Sequence, residues 1–272
     1  MRNPEKICII TDLDGTLLPK SKMPLEQDLL AIRKFEQAGG IFTIATGRTV
    51  QASKNYIKLL DLKSPVIVFN GAGIYDCVKK NMLFTQALPE SAKVITEEIL
   101  KEKSHVGIEV LCAEDTWVVN NTDYEQEHIK ICNVIAKYGT VQEIQDSWLK
   151  VLFSMSPDNM PNFINYIANK NFQDVDFIRS ELKFYEMLSK GVSKGSALTA
   201  YRNLPNMQDF KLIAVGDFDN DIAMLKSADL AVCPANATDS VKTVADIILT
   251  RTCEEGAMEE LITRILSGED FI

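Results

Sequence analysis

Short apolar runs that stop abruptly in polar residues recur along this chain. Ile7 to Ile10 runs into Thr11-Asp12-Leu13-Asp14-Gly15-Thr16, Ile41 to Ala45 into Thr46-Gly47-Arg48, and Val66 to Phe69 into Asn70-Gly71-Ala72. Unbroken apolar runs of this length predict fully buried strands. After the first, Pro24 opens a segment in which Leu25, Leu29, Ile32 and Phe35 recur at helical spacing until Gly39-Gly40 stops it. A second helix is expected after Arg48, to about Leu60. Three strand–polar-turn units, two of them joined by helices, predict a parallel sheet. The rhythm returns at Gly191-Val192-Ser193-Lys194-Gly195, with Ser193 as the cap of a helix to about Asn203. Lys211 to Val215 then reads as a buried strand ending in Gly216-Asp217-Phe218-Asp219-Asn220-Asp221. Short strands at Leu230 to Cys233 and Ile247 to Leu249 and a helix from about Glu254 to Leu266 complete the pattern.

Between about residues 84 and 185 the style changes. A helix from Pro89 through Leu100 precedes a strand pair, Val106 to Cys112 and Thr116 to Val119. Ile131, Ile135 and Tyr138 suggest an amphipathic helix over 123–138. A strand at Trp148 to Met155, a helix at Met160 to Ala168 and a strand at Val175 to Ile178 follow. No polar turn closes each strand here. The stretch 84–185 therefore reads as an inserted α+β module, a cap over a core made of residues 1–83 and 186–272.

Composition narrows the possible partners. At 272 residues and 46% hydrophobic, the chain can bury a substantial core, and its net charge of −9 argues against a nucleic-acid footprint. No apolar run approaches the roughly 18 residues of a membrane span, and the first residues show no secretory signal pattern. The cysteines Cys8, Cys77, Cys112, Cys132, Cys233 and Cys253 are scattered without a C-x-x-C pair, several inside apolar runs, and read as reduced and structural. A cytoplasmic protein without membrane or nucleic-acid partners is the expectation.

The chemistry concentrates at the strand ends, where ligands of open α/β sheets bind. If both residues are extended, Asp12 and Asp14 point to the same side, and two adjacent carboxylates repel unless a cation or shared proton intervenes. A divalent metal is the economical explanation; calcium binding and simple turn capping are the alternatives. An EF-hand is ruled out, because Met23 stands where its closing Glu belongs. Asp12 and Asp217, with a backbone carbonyl near Asp14, would make a partial oxygen cage suited to magnesium. Lys194 at a helix N-terminus favours an anion, Thr46 can donate a hydroxyl, and Arg48 can clamp a phosphate. Each also reads as a surface charge or ordinary turn chemistry. Asp219 reads as a solvated helix-start acid. His105 and His128 have no pairing partner in the sequence and receive no catalytic role.

Taken together, Asp12-Leu13-Asp14-Gly15-Thr16, Thr46-Gly47-Arg48, Asn70-Gly71-Ala72, Lys194-Gly195 and Gly216-Asp217-Phe218-Asp219-Asn220-Asp221 resemble the haloacid dehalogenase-like hydrolase superfamily, in its Cof-type branch with a large α/β cap. Glu186 and Asn236-Ala237 also fit, and Pro234-Ala235 departs from a Met-Gly-like pair. The resemblance implies an α/β fold with a Rossmann-like three-layer core and an inserted α+β cap. It implies a magnesium-dependent phosphatase for a small phosphorylated metabolite, such as a sugar phosphate. Asp12 would be the nucleophile, forming an aspartyl-phosphate. Asp14 would protonate the leaving alcohol and activate water, with its carbonyl on Mg2+. Asp217, supported by Asp221, would complete the metal site. Thr46, Lys194, Asn220 and the Leu13 amide would hold phosphoryl oxygens, with Gly47, Arg48 and Asn70 beside them. A leaving alkoxide needs a proton, so Asp14 favours a phosphatase over a dehalogenase. A phosphomutase and a regulatory protein that only binds a phosphoryl ligand are the rival readings.

Overall fold

A computed structural model describes residues 4–268. The first part runs β1 (Ile7–Thr11), α1 (Glu26–Gln37), β2 (Ile41–Ile44), α2 (Val50–Leu59), β3 (Val66–Val68), β4 (Gly73–Asp76) and β5 (Asn81–Thr85). Then come α3 (Ser91–Glu102), β6 (Gly107–Cys112), β7 (Thr116–Asn120), α4 (Asp123–Cys132), β8 (Ala136–Tyr138), β9 (Trp148–Ser154), α5 (Met160–Lys170), β10 (Val175–Glu181) and β11 (Phe184–Ser189). The chain closes with α6 (Lys194–Arg202), β12 (Lys211–Val215), α7 (Ile222–Ser227), β13 (Leu230–Cys233), α8 (Asp239–Lys242), β14 (Ile247–Ile248) and α9 (Ala257–Ser267).

A parallel sheet in the order β14-β13-β12-β1-β2 forms the centre. Alternation along its strands divides the interior into two layers. Ile9, Phe42, Ile213 and Val215 pack with Ile32 and Phe35 of α1 and Leu261 of α9. Cys8, Ile10, Leu212 and Ala214 face the other way, against Leu198 and Tyr201 of α6 and Met224 of α7. Because both faces are covered, the strands read as continuous apolar runs.

The second sheet, β10-β11-β9-β6-β7-β8, is antiparallel except for the β7–β8 pair. One face carries Ile108, Val110, Val151 and Phe153 against Ile95 and Ile99 of α3 and Phe163 of α5. Apolar side chains of the opposite face, including Leu152 and Phe184, join the cluster that contains Leu13, Leu17 and Leu18. That face is turned towards the carboxyl end of β1.

Several expectations need correction. The third apolar run touches the parallel sheet through one bridge, Ala45 to Ile67, and otherwise opens an antiparallel meander, β3-β4-β5. The helix expected over 123–138 stops at Cys132, because Asn133 turns left-handed with φ 50°. Ile135 and Tyr138 lie beyond it and, like Ile131, remain exposed, so their helical spacing did not mark a buried face. Strands β4, β5, β8 and β11 depart from the expected elements; β5 is largely exposed and lacks a core pattern. The switch points expected at 84 and 185 fall inside β5 and β11, whose strands continue to Thr85 and Ser189.

One packing detail gives a test of stability. Asp28 is buried on α1, and its carboxylate accepts the backbone N–H of Glu259 at 2.8 Å, in the first turn of α9. Burial pushes its pKa from 3.8 to about 6. The folded state therefore holds a proton that the unfolded chain releases, and stability falls as pH rises from about 4 to about 6. Asp28→Asn keeps the acceptor without the charge. It is expected to gain up to about 3 kcal/mol over wild type at pH 7.5 and to lose that advantage near pH 4. Denaturant unfolding at the two pH values checks this; an equal difference at both would overturn the assignment.

Candidate active site

The site is assembled where β1 and β12 end side by side, Thr11 opposite Val215. Asp12 follows β1, and its N–H donates to the Val215 carbonyl at 2.8 Å, which places the side chain one step beyond the sheet. Leu13 is fully buried and its carbonyl accepts the N–H groups of Leu17 and Leu18, folding 13–18 into a tight loop. Gly15 is required in this loop for two reasons. Its φ is +86°, and a Cβ there would lie 2.4 Å from Asp217 Oδ2. The two loops that bear Asp12 and Asp217 thus close on each other through a missing side chain.

Lys194 is the buried hub. It begins α6 behind the Ser193 cap and has no exposed surface. Its Nζ donates to Asp12 Oδ1 and Asp221 Oδ1, each at 2.6 Å. Thr16 donates its hydroxyl to Asp217 Oδ1 at 2.5 Å, and Asp221 Oδ2 accepts the Asp217 and Phe218 amides. The carboxylates of Asp12, Asp217 and Asp221 have ligand atoms within 4.8 Å of one another. Burial, only partly offset by Lys194, pushes Asp12 up to about 7. Burial and the Asp12 charge raise Asp217 as well. Burial disfavours the Lys194 charge, but the charges of Asp12 and Asp221 outweigh it and hold the ammonium protonated.

Three clustered carboxylates against one ammonium leave two negative charges uncompensated. Hard oxygen donors with that deficit suit a divalent magnesium ion. Asp217, whose Oδ2 faces Gly15, is the open donor, whereas both Asp221 oxygens already serve Lys194 and the loop amides.

Asp14 is not one of this trio, although its charge reaches Asp12. β1 ends at Thr11, so the strand alternation no longer applies. Arg48 grips Asp14 with two hydrogen bonds, 2.7 and 2.9 Å, and Lys22 adds a third at 2.6 Å. Burial would raise the Asp14 pKa, but the Arg48 and Lys22 contacts reverse that and hold it well below the usual carboxylate range. Arg48 is therefore engaged by a carboxylate rather than open for a phosphate.

Thr46 is buried, with its hydroxyl accepting the Arg48 N–H at 3.2 Å. Asn70 sits at φ 52° in a short turn after β3, a conformation Asn tolerates better than most residues. Its amide oxygen accepts from Asn220 Nδ2 at 3.0 Å, and its Nδ2 donates to Glu186 Oε2 at 2.5 Å. Gly47 must lack a Cβ, which would come within 2.9 Å of the Asn70 amide.

Residues 9–261 match the family model of the haloacid dehalogenase-like hydrolases. The chain belongs to this family. It is an enzyme, a phosphatase of this haloacid dehalogenase-like, Cof-type group. It is 28% identical over 254 residues to the 5-amino-6-(5-phospho-D-ribitylamino)uracil phosphatase YcsE of Bacillus subtilis, covering 93% of each chain. It is 26% identical to the pyridoxal phosphate phosphatase YbhA of Escherichia coli, covering 89% of this chain and 92% of that one. In fold it is similar to a haloacid dehalogenase-like hydrolase from Bacteroides thetaiotaomicron, with a TM-score of 0.83, 23% identity, and 96% and 100% of the two chains covered. A subclass IIB sugar phosphatase, BT4131, superposes with a TM-score of 0.81 at 18% identity, over 95% and 98% of the chains.

This haloacid dehalogenase-like chain has contacts that the motifs did not disclose. Lys150 of β9 is buried, ion-paired with Glu186 at 2.8 Å, and donates to the Gly47 carbonyl at 2.6 Å. It ties the antiparallel sheet to the Thr46-Gly47-Arg48 turn. Its signal in the sequence was a lone lysine inside an apolar strand, a costly placement without a partner. Asn236 donates to the Gly15 carbonyl at 2.8 Å and accepts the Cys253 N–H, bracing the Asp12 loop from behind. Pro234 and Ala235 leave that brace intact. Asp219 starts a helical turn at the surface, where it accepts the Ser240 hydroxyl at 2.7 Å. Among the described residues, no helix is long and apolar enough to cross a membrane.

Proposed function

We propose that the protein hydrolyses a small phosphorylated metabolite with Asp12 as the nucleophile and magnesium at the Asp12–Asp217–Asp221 cluster. The observation that carries this reading is the buried Lys194 ammonium bonded at once to Asp12 and Asp221. One carboxylate oxygen of Asp12 is thereby fixed and the other is left for the phosphorus centre. Magnesium, when bound, would neutralise charge on the phosphoryl oxygens. Lys194, Thr46 and Asn220, with the Leu13 amide, supply donors around the same position. Positioning and charge neutralisation are what phosphoryl transfer demands of a protein.

In this reading Asp12 attacks phosphorus, the P–O bond to the leaving alcohol breaks, and Asp14 supplies the proton to that oxygen. Asp14 is a carboxylate while Arg48 and Lys22 hold it. A phosphoryl group entering the site competes for both cations, and burial then raises the pKa of the released acid. Asp14 can thus take up a proton as substrate binds, and return to base form to activate water against the aspartyl-phosphate. Residues between β5 and α6 would act as the cap over this chemistry, with Lys150 as its fastening to the core. Substrates of the named relatives, a phosphorylated ribitylaminouracil and pyridoxal phosphate, set the class to try first.

Phosphate release across a panel of phosphorylated metabolites, with magnesium or with EDTA, tests the proposal. Release that requires magnesium supports it. Conversion of a hexose 1-phosphate to its isomer would favour a mutase, and binding without turnover would favour a sensor.

A further inference from the structure

A second cluster of ionisable side chains lies on the antiparallel sheet, distinct from the acidic trio but beside Lys150 and Glu186. Glu109 stands on β6. Glu125 and His128, three residues apart, share one face of α4, which packs over that strand. His128 Nδ1 lies 2.7 Å from Glu109 Oε1, and the three residues offer ligand atoms within 4.8 Å of one another. Neither glutamate has exposed surface. Ser154 donates to Glu125 Oε2 at 2.5 Å. Glu109 Oε2 and Glu125 Oε1 remain, both buried, with no donor among the described residues and only each other, through a shared proton, as partner.

An unsatisfied buried carboxylate oxygen is costly, and two in one pocket cannot both be ionised without a compensating charge. Two cations stand near: Lys150, already paired with Glu186, and His128 itself, which compensates one charge only when its ring is protonated. The backbone makes room for this arrangement. A Cβ at Gly107 would lie 2.3 Å from both Glu125 Oε2 and Ser154 Oγ, so the recess that admits Glu125 exists only because that position is glycine. Cys132 Sγ, 3.3 Å from His128 Nε2, fixes the imidazole from its far side and leaves Nδ1 directed at the carboxylates.

We propose that Glu109, Glu125 and His128 form a second metal site that takes a divalent first-row transition-metal ion. Two carboxylate oxygens and one imidazole nitrogen select for zinc, manganese or iron over magnesium and calcium, which take oxygen alone. A divalent ion satisfies both orphan oxygens and neutralises both charges, with His128 neutral. Glu-x-x-His on one helix face, joined by a carboxylate from another element, is a recurring way to hold such ions.

The test uses the full chain, stripped with EDTA and reloaded with Co2+ or Mn2+ in excess magnesium, which occupies the all-oxygen site. Wild type is expected to retain about one Co2+ per chain, and Glu109→Gln and Glu125→Gln less than about a tenth of that. Asp217→Asn, altered only at the other cluster, should retain as much as wild type. Pulsed electron paramagnetic resonance of wild type with Mn2+ adds a readout that needs no variant to fold. An imidazole nitrogen coupling is expected, lost in His128→Asn, since the all-aspartate cluster has no nitrogen ligand. No retained Co2+ in wild type, equal retention in the glutamine variants, loss in Asp217→Asn, or no nitrogen coupling would each overturn the site.

Discussion

Asp12→Asn is expected to reduce phosphate release by about 10⁴-fold or more while the protein stays folded. The amide keeps the shape of the side chain and can still accept from Lys194, but it cannot attack phosphorus as a carboxylate does. Stability should hold or rise slightly in the absence of metal. Asp12 is buried beside Asp217 and Asp221, and its charge is one of the causes that raise the Asp217 pKa. Removing that charge relieves repulsion as well as one ion pair. Steady-state release of phosphate, with circular dichroism and a thermal melt on the same sample, separates the two effects. Turnover within tenfold of wild type would rule out Asp12 as the nucleophile.

Lys194→Ala has the opposite signature, with function and stability lost together. Its ammonium is fully buried between Asp12 and Asp221, so truncation leaves an acidic trio with no cation within bonding distance among the described residues. Breaking a buried pair from one side costs about 3–5 kcal/mol, which corresponds to a melting point lower by on the order of 10 °C in a chain of this size. Magnesium should restore part of the stability, because it binds the folded carboxylates and not the unfolded chain. It should restore little turnover, since Lys194 also fixes the Asp12 carboxylate through Oδ1 and so aims the oxygen that attacks. Thermal melts in EDTA and in magnesium, beside phosphate release, check both. A melting point in EDTA equal to that of wild type would show that the Lys194 charge is not needed to hold the trio together.

The core and the place of its candidate site were legible in the sequence for one physical reason. In a parallel sheet covered on both faces, strands must be apolar throughout and polar residues collect where the strands end. Asp12, Thr46, Lys194, Asp217, Asn220 and Asp221 all follow that rule, and each is found near the ends of β1, β2 and β12 or at the start of α6. The Gly15 turn was legible too, because its φ of +86° is open to few other residues.

Partner choice was not legible, since it depends on how close separate loops approach. Nothing local to Arg48 says that it grips Asp14 rather than a phosphate; the approach of the 46–48 turn to the 13–18 loop decides that. His128 stood without a partner in the sequence because Glu109 reaches it from a strand nineteen residues earlier. The run Ile131, Ile135, Tyr138 misled for the converse reason, as spacing predicts a shared face but not that anything covers it. What the sequence alone determined, then, is the apolar framework and which polar residues stand at its strand ends. Tertiary structure decided which charges meet, because a buried charge is set by its neighbours in space and those neighbours come from distant parts of the chain.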